Sequence, residues 1–227
     1  MKLYIANKNY SSWSLRPWVL MRTLGLPFEE ELRPFPMEGG ASGFEAFSPT
    51  AKVPCLHDRD QVVWDSLAIV EYLAERHAAV WPADASARAW ARCAAAEMHA
   101  GFSTLRNICS MNCGLRVGLH APALKTVAPD LQRLQALWSQ GLERFGGPFL
   151  AGSTFTAVDA FFCPVAFRVQ TFALPLSQAC GAYVQTLLDM PAMKDWYAAA
   201  LREPWLEPVH DAHTLTHGQL LADLRRP

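Results

Sequence analysis

This sequence lacks an excess of charge of either sign, and it lacks a long apolar run. Lysine and arginine together number 20 and aspartate and glutamate 21, so the formal net charge is −1. A chain so close to neutrality has no strong attraction for nucleic acid or for an anionic membrane, and we expect neither as a main partner. No apolar run reaches the roughly 18 residues that a membrane span needs.

From the sequence we also expect no disulfide framework, no leader segment and no internal repeats. The six cysteines are irregularly spaced along 227 residues, unlike those of small disulfide-stapled proteins. The first seven residues form a short strand-like stretch without a signal-peptide cleavage pattern. We therefore expect a cytoplasmic protein in a reducing compartment.

Apolar residues make up 51% of the chain, which is enough to build packed cores in one large domain or two ordinary ones. Strand and helix patterns alternate in the first 80 residues, in the order of a thioredoxin fold. The strands are predicted at 2–6, 28–32, 53–57 and 61–64, and the helices at 15–24 and 65–77.

Beyond a break at 81–84 the pattern is helical almost throughout. Helices are predicted at 85–113, 124–145, 158–172, 177–188 and 192–203. The predicted fold is an α/β thioredoxin-like N-terminal domain (1–80), a linker (81–84), an all-α C-terminal helical bundle (85–217) and a tail (218–227).

A proline stands where a buried strand should begin, in the segment 50–56 (TAKVPCL). A cis Val53-Pro54 bond would form a tight turn there and leave the backbone N–H and C=O of Val53 open to a ligand. About ten residues later, Asp65 and Ser66 open a helix. We expect Ser66 to cap it, and the positive helix end to bind a carboxylate. Together these segments predict a site for an extended peptide-like ligand with an anionic end.

Four motifs in this order resemble those of the soluble glutathione transferase superfamily, and the resemblance covers essentially the whole chain. The serine-containing segment 10–16 (YSSWSLR) is similar to that of zeta-like and related bacterial members. The other motifs are Lys52-Val53-Pro54, Asp65-Ser66 and a capping box at 156–159 (TAVD). The resemblance implies glutathione as co-substrate and a homodimer.

By this resemblance Ser11 is the first choice for the catalytic residue and Ser12 the close alternative. A thiol bound beside them lies near a helix N-terminus, which favours the thiolate, and a serine hydroxyl adds a charge-assisted hydrogen bond to it. In the alternative interpretation both serines only cap the helix.

The resemblance also implies how glutathione is bound. The main chain of Val53 should bind the cysteinyl backbone in the manner of strand addition, in a geometry that Pro54 enforces. Ser66 should hold the γ-glutamyl carboxylate, and Asp65 the amino group. Lys52 is placed to meet the glycyl carboxylate, although an isolated lysine is more often a solvated surface charge.

The second substrate should lie between the two domains, against a wall formed by residues 106–113 of the long first C-terminal helix. Met111 suits a small hydrophobic electrophile, and Arg106 or Asn112 can polarise a carbonyl. Trp13 would pack over the thiol pocket or fill the core. It departs from the zeta pattern, in which the isomerases typically carry a cysteine.

The leading prediction is a glutathione S-transferase that stabilises the glutathione thiolate with a serine and adds it to a small hydrophobic electrophile, with a role in detoxification. One alternative is a glutathione-dependent cis–trans isomerase similar to maleylacetoacetate isomerase, or a dehalogenase. Another is a non-catalytic interaction module. No metal site is predicted, because Cys109 and Cys113 lack further ligands at a diagnostic spacing.

Overall fold

The N-terminal part of the chain is a four-stranded mixed sheet with helices packed against it. In this computed structural model, which describes residues 1–36 and 43–225, the strand order is β2-β1-β3-β4. Strand β2 runs parallel to β1, and β3 and β4 are antiparallel to their neighbours. The elements are β1 (Lys2–Ile5), α1 (Ser12–Thr23), β2 (Glu29–Leu32), β3 (Cys55–Asp58), β4 (Gln61–Trp64) and α2 (Ser66–Ala74).

Local sequence explains this arrangement. Leu3 and Ile5 alternate with half-buried residues in β1, and the parallel partner β2 is reached through the crossover helix α1. The predicted thioredoxin-like pattern is confirmed.

The rest of the chain is mainly helical, and α6 lies at its centre with almost every residue buried. Within the described residues, no helix is both long and apolar enough to cross a bilayer. The elements are α3 (Ala85–Ala100), α4 (Ser103–Ile108), β5 (Leu115–Leu119), α5 (Ala121–Phe145), α6 (Ala157–Phe172), α7 (Gln178–Asp189), α8 (Pro191–Ala200), α9 (Pro208–Leu215) and β6 (Gly218–Asp223).

The prediction of one helix over 85–113 is wrong. Helix α3 ends at Ala100. At the following residue, Gly101, a Cβ atom would stand 2.8 Å from the carbonyl oxygen of Glu97, and Phe102 adopts the left-handed conformation. The short helix α4 follows, and residues 109–113 form no helix. Met111 and Asn112 therefore lie on an irregular segment, and Arg106 lies on α4.

The predicted tail contains a strand that the sequence analysis missed. Strand β6 pairs antiparallel with β5, from Leu119 opposite Gly218 to Leu115 opposite Asp223. Residues 226 and 227 of that tail lie outside the described residues. The domain bounds stay a prediction.

The capping box at the start of α6 is confirmed. The buried carboxylate of Asp159 accepts hydrogen bonds from the Thr156 N–H (2.9 Å) and the Leu150 N–H (3.0 Å). It also accepts one from the Tyr183 hydroxyl (3.0 Å), and burial raises its pKa to about 6. One side chain thus joins α6, α7 and the loop before α6.

Replacement of Asp159 by alanine should lower the free energy of unfolding by about 2 kcal/mol or more, because it leaves buried N–H and O–H groups without acceptors. Urea denaturation measures the loss. Asp195→Ala, at an exposed position of α8, is the control. Equal losses in the two variants would contradict the role given to Asp159.

Candidate active site

Two adjoining cavities flank Trp13: the larger lies where the α/β part meets the helical region, and the smaller is lined by residues of the α/β part alone. The larger has a volume of about 750 Å³ and the smaller about 630 Å³. Both are lined by Trp13, Lys52 and Val53, so the two predicted glutathione motifs stand at neighbouring cavities that share a wall.

The loop after β1, at residues 7–10, leads to the larger cavity and is held by buried hydrogen bonds to the helical region. The Glu203 carboxylate accepts from the backbone N–H groups of Lys8 (2.6 Å) and Asn9 (3.3 Å). The Lys8 carbonyl accepts from the Trp196 indole N–H (2.9 Å), and the Asn9 side chain donates to Asn112 (3.0 Å). Because only Tyr10 separates Asn9 from the serine pair, these contacts set where the serines stand.

Ser11 and Ser12 both line the larger cavity, but their hydroxyl groups differ in availability. Ser11 is buried, and its hydroxyl donates to Ser14 Oγ (2.7 Å), which accepts the Ala6 N–H (3.3 Å). Ser12 is partly exposed, and its hydroxyl has no hydrogen-bond partner among the described residues. Ser11 occupies the N-cap position of α1 without a side-chain capping bond. A role limited to capping therefore does not describe this serine.

The Val53-Pro54 peptide bond is cis, as predicted. Within the described part of the chain, no hydrogen bond joins the backbone N–H or C=O of Val53 to another protein group. Lys52 is exposed at the rim and forms no ion pair with a described residue. These groups are available to a ligand that runs antiparallel to the segment.

Asp65 caps α2, so the prediction that Ser66 is the cap is wrong. The Oδ1 atom of Asp65 accepts the Leu67 N–H (2.8 Å), and the backbone of Asp65 adopts a φ of 72°. Aspartate caps a helix as well as serine does, and it precedes Ser66 by one residue. Ser66 is the first residue of α2, is buried, and lines the smaller cavity beside Asp65.

Behind the smaller cavity lies Arg16, to which the sequence analysis gave no role although it closes the serine motif. Its Nη1 lies 3.4 Å from Ser66 Oγ and 3.5 Å from His99 Nδ1, and its guanidinium stacks 4.1 Å from the Trp13 ring centroid. Burial, and then the charges of Arg168 and Arg106, lower the pKa of Arg16 to about 9. Arg16 stays protonated at neutral pH and contributes positive charge next to Ser66.

His99 links the smaller cavity to α3. Its Nε2 lies 3.5 Å from Asp65 Oδ2, and its pKa is lowered mainly by burial, with a contrary effect from Asp65. Nothing in the sequence around His99, in the last turn of α3, indicated that it would lie beside Asp65.

The structure brings Arg106 and Met111 to the larger cavity, as predicted, but not Asn112. The Asn112 side chain is buried and engaged with Asn9, Leu115 and Asp211. Its polar atoms are committed to the fold and do not line either cavity.

The cavity residues that were not predicted as candidates include Arg168 from α6 and His210 and His213 from α9. The spacing of the two histidines is that of one helix face, which could have indicated a shared surface. Nothing in the sequence distinguishes Arg168 from other helical arginines. Among the residues that the structure describes, no group of three or more His, Cys, Asp or Glu side chains could hold a metal.

Comparison with known proteins places these residues in a family context. Residues 10–76 match the model of the glutathione S-transferase N-terminal domain, which confirms the resemblance drawn from the motifs. A probable maleylacetoacetate isomerase of Caenorhabditis elegans is 28% identical over 197 residues, covering 84% of this chain and 89% of that protein.

Solved structures share the fold. A glutathione transferase homologue from Burkholderia GL BGR1 with bound glutathione has a TM-score of 0.65 at 22% identity, covering 88% of this chain and 97% of that one. A zeta-class maleyl pyruvate isomerase has a TM-score of 0.67 at 23% identity, covering 90% and 99%. The predicted architecture of a thioredoxin-like domain followed by a helical region is confirmed.

Glu203, which accepts hydrogen bonds from the loop before the serine pair, should make the free energy of unfolding depend on pH. Burial raises the pKa of Glu203 to about 7, and the Lys8 and Asn9 N–H groups oppose the rise. A raised carboxyl pKa gives stability that is complete below the ordinary value near 4.5 and is lost as pH rises through about 7. We expect the stability of the wild-type protein relative to Glu203→Gln to fall by on the order of 2 kcal/mol from pH 4.5 to 8.

Urea denaturation at several pH values measures this difference. Glu143→Gln, at an exposed position on α5, serves as the control and should leave the pH dependence of stability as in the wild-type protein. A difference between wild type and Glu203→Gln that does not change with pH would contradict the prediction.

Proposed function

We propose that this protein, whose N-terminal part is a glutathione S-transferase N-terminal domain, is an enzyme that adds the thiolate of glutathione to a small electrophile. The observation that carries the proposal is one cavity wall that holds both the serine pair and the unpaired backbone of Val53. A thiol donor bound along Val53 would present its sulfur to the start of α1.

The start of α1 suits a thiolate. The positive end of the helix favours the anion, and a hydroxyl that donates to sulfur stabilises it further. The Ser12 hydroxyl is free to donate as it stands, whereas Ser11 must first release Ser14. Either serine can donate a hydrogen bond to the thiolate, but only Ser11 must first break its hydrogen bond to Ser14.

The rest of the tripeptide finds partners on both cavities. Val53 offers one N–H and one C=O to the cysteinyl backbone, and Lys52 offers a charge to the glycyl carboxylate. Ser66, with the positive end of α2 and Arg16 behind it, suits the γ-glutamyl carboxylate. Asp65 suits the amino group.

The electrophile would enter the larger cavity, where Trp13, Met111 and Phe35 form apolar walls. The thiolate attacks the electrophilic carbon, the new C–S bond forms, and the electron pair moves to a leaving group or to a conjugated carbonyl. Holding both reactants in one cavity supplies the positioning on which this addition depends.

A cis–trans isomerisation is the second candidate, supported by the relatives named as isomerases. In that reaction the thiolate adds reversibly and leaves again, so glutathione is not consumed. Glutathione consumption during turnover separates the two activities. A homodimer and a role in detoxification in the cytoplasm stay predictions from the resemblance.

Serine variants test the thiolate assignment. Alanine at the serine that contacts sulfur should raise the thiol pKa and lower kcat/KM by about tenfold or more, because about 1.4 kcal/mol of thiolate stabilisation corresponds to one pKa unit. The ultraviolet absorbance of the thiolate as a function of pH measures the pKa in Ser11→Ala and Ser12→Ala. Ser153→Ala, exposed and remote from both cavities, is the control.

Calorimetric titration with glutathione tests the binding site in the same proteins. Ser66→Ala should weaken glutathione binding without moving the thiol pKa, since it acts at the other end of the tripeptide. Absence of glutathione binding by the wild-type protein would overturn the proposed enzyme and favour an interaction module. An unchanged thiol pKa in both Ser11→Ala and Ser12→Ala would overturn the serine mechanism alone.

A further inference from the structure

His213 lines the larger cavity from α9, and its side chain is exposed. Within the described part of the chain, the ring nitrogens of His213 form no hydrogen bond and no ion pair. Histidine is the type of side chain that changes charge near neutral pH. An unengaged imidazole at a reaction cavity is therefore suited to proton transfer.

The other polar groups of the cavity are poorer proton donors. The Tyr10 hydroxyl accepts the Glu207 N–H (3.1 Å) and the Arg225 guanidinium (2.9 Å), and burial raises its pKa. The Ser110 hydroxyl is paired with Thr214 (2.8 Å), and the serine pair serves the thiolate in the proposed function. Lysine and arginine hold their protons too firmly for acid catalysis near neutral pH, and the described lining contains no aspartate or glutamate.

His210, one turn earlier on α9, is engaged with the protein. Its Nε2 donates to the Met111 carbonyl (3.2 Å), and its ring centroid lies 4.8 Å from that of Tyr10. Burial lowers the pKa of His210, which keeps the ring neutral near pH 7. His210 therefore fastens the helix, whereas the ring of His213 is left to a ligand of the cavity.

Contacts on both sides of His213 fix the position of α9. The Asp211 carboxylate forms an ion pair with Arg225 (2.7 Å), and the hydroxyl groups of Thr214 and Ser110 are hydrogen-bonded to each other (2.8 Å). A helix of eight residues held at these points has little freedom to shift. The backbone that carries the His213 ring is thus positioned before a substrate binds, which is what a proton donor requires.

Addition of a thiolate to a conjugated carbonyl compound needs such a donor. The thiolate attacks the β-carbon, the C–S bond forms, and the π electron pair moves to the carbonyl oxygen to give an enolate. A proton on the α-carbon completes the conjugate. Until that proton arrives, the enolate can rotate about the bond between its α- and β-carbons and expel the thiolate again, which yields the isomer of the starting compound.

We propose that the imidazolium of His213 donates this proton to the α-carbon, and that the electrophile is an α,β-unsaturated carbonyl compound. The imidazole then regains a proton from water, to which the exposed ring has access. This inference rests on the proposed function and names its substrate class. It makes His213 the catalytic residue that commits the adduct to conjugation instead of isomerisation.

The cis enone (Z)-4-phenylbut-3-en-2-one tests the inference, because one substrate reports both fates of the adduct. Chromatography measures the glutathione conjugate and the E isomer, after subtraction of the reaction without enzyme. His213→Gln should raise the ratio of E isomer to conjugate by about tenfold or more, since a positioned general acid accelerates proton transfer by at least that much.

The ratio is taken within one active site, so weaker binding or a smaller folded fraction cancels from it. Glutamine suits a helix at least as well as histidine does, and α9 should persist in the variant. His120→Gln, which replaces an exposed histidine outside both cavities, is the matched control and should keep the wild-type ratio.

An unchanged ratio in His213→Gln, or an equal rise in His120→Gln, would overturn the assignment of His213. A second electrophile, 1-chloro-2,4-dinitrobenzene, loses chloride and needs no proton on carbon. A wild-type protein that conjugates this halide but not the enone would overturn the inference and leave the proposed function standing. A wild-type protein that acts on neither compound would overturn the proposed function itself.

Discussion

The loop from Asn7 to Tyr10 is the constraint on which the site depends. It belongs to the α/β part by sequence, yet Glu203, Asn112 and Trp196 of the helical region hold it through buried hydrogen bonds. Buried N–H groups left without acceptors are costly, so the loop has little freedom to take another course. The serine pair follows directly, and its place relative to the larger cavity is thus decided by residues that lie 103 to 195 positions away in the sequence. The α/β part alone does not define this candidate site.

The Trp13 ring stabilises two of the arginines that cluster around the two cavities. The Arg16 guanidinium lies 4.1 Å and the Arg106 guanidinium 5.4 Å from the centroid of its ring, and Arg16 also lies 4.9 Å from the Phe161 ring centroid. Aromatic faces stabilise cations without neutralising them, so the positive field persists toward both cavities. A cysteine at this position, the residue typical of zeta-class isomerases, could not do this. The tryptophan that departs from the zeta pattern is therefore an electrostatic part of the site as well as a wall of it.

Sequence patterns predicted the parts of the molecule that depend on local chemistry. The succession of strands and helices in the first 80 residues, the cis Val53-Pro54 bond and the α6 capping box each follow from residues close together in the chain. The errors lie where a distant contact or one backbone angle decides. The helix predicted through Gly101 is interrupted where Phe102 adopts the left-handed conformation, and β6 exists only because β5 lies beside it. Arg168 could not be found in this way, since only tertiary packing turns it toward the cavity.

The residues that follow the C-terminal strand β6 are also connected to the loop that precedes the serine pair. Arg225 follows β6, donates to the Tyr10 hydroxyl (2.9 Å), and forms an ion pair with Asp211 of α9 (2.7 Å). Asp211 in turn accepts from Asn112, which bonds to Asn9 of the serine loop. The helix that brings His210 and His213 to the cavity is thus fastened to the loop that places the serines. Because charged and amide partners share this network, loss of one bond leaves others unpaired, and its effects are not additive. The wall of the larger cavity and the serine pair are accordingly one structural unit.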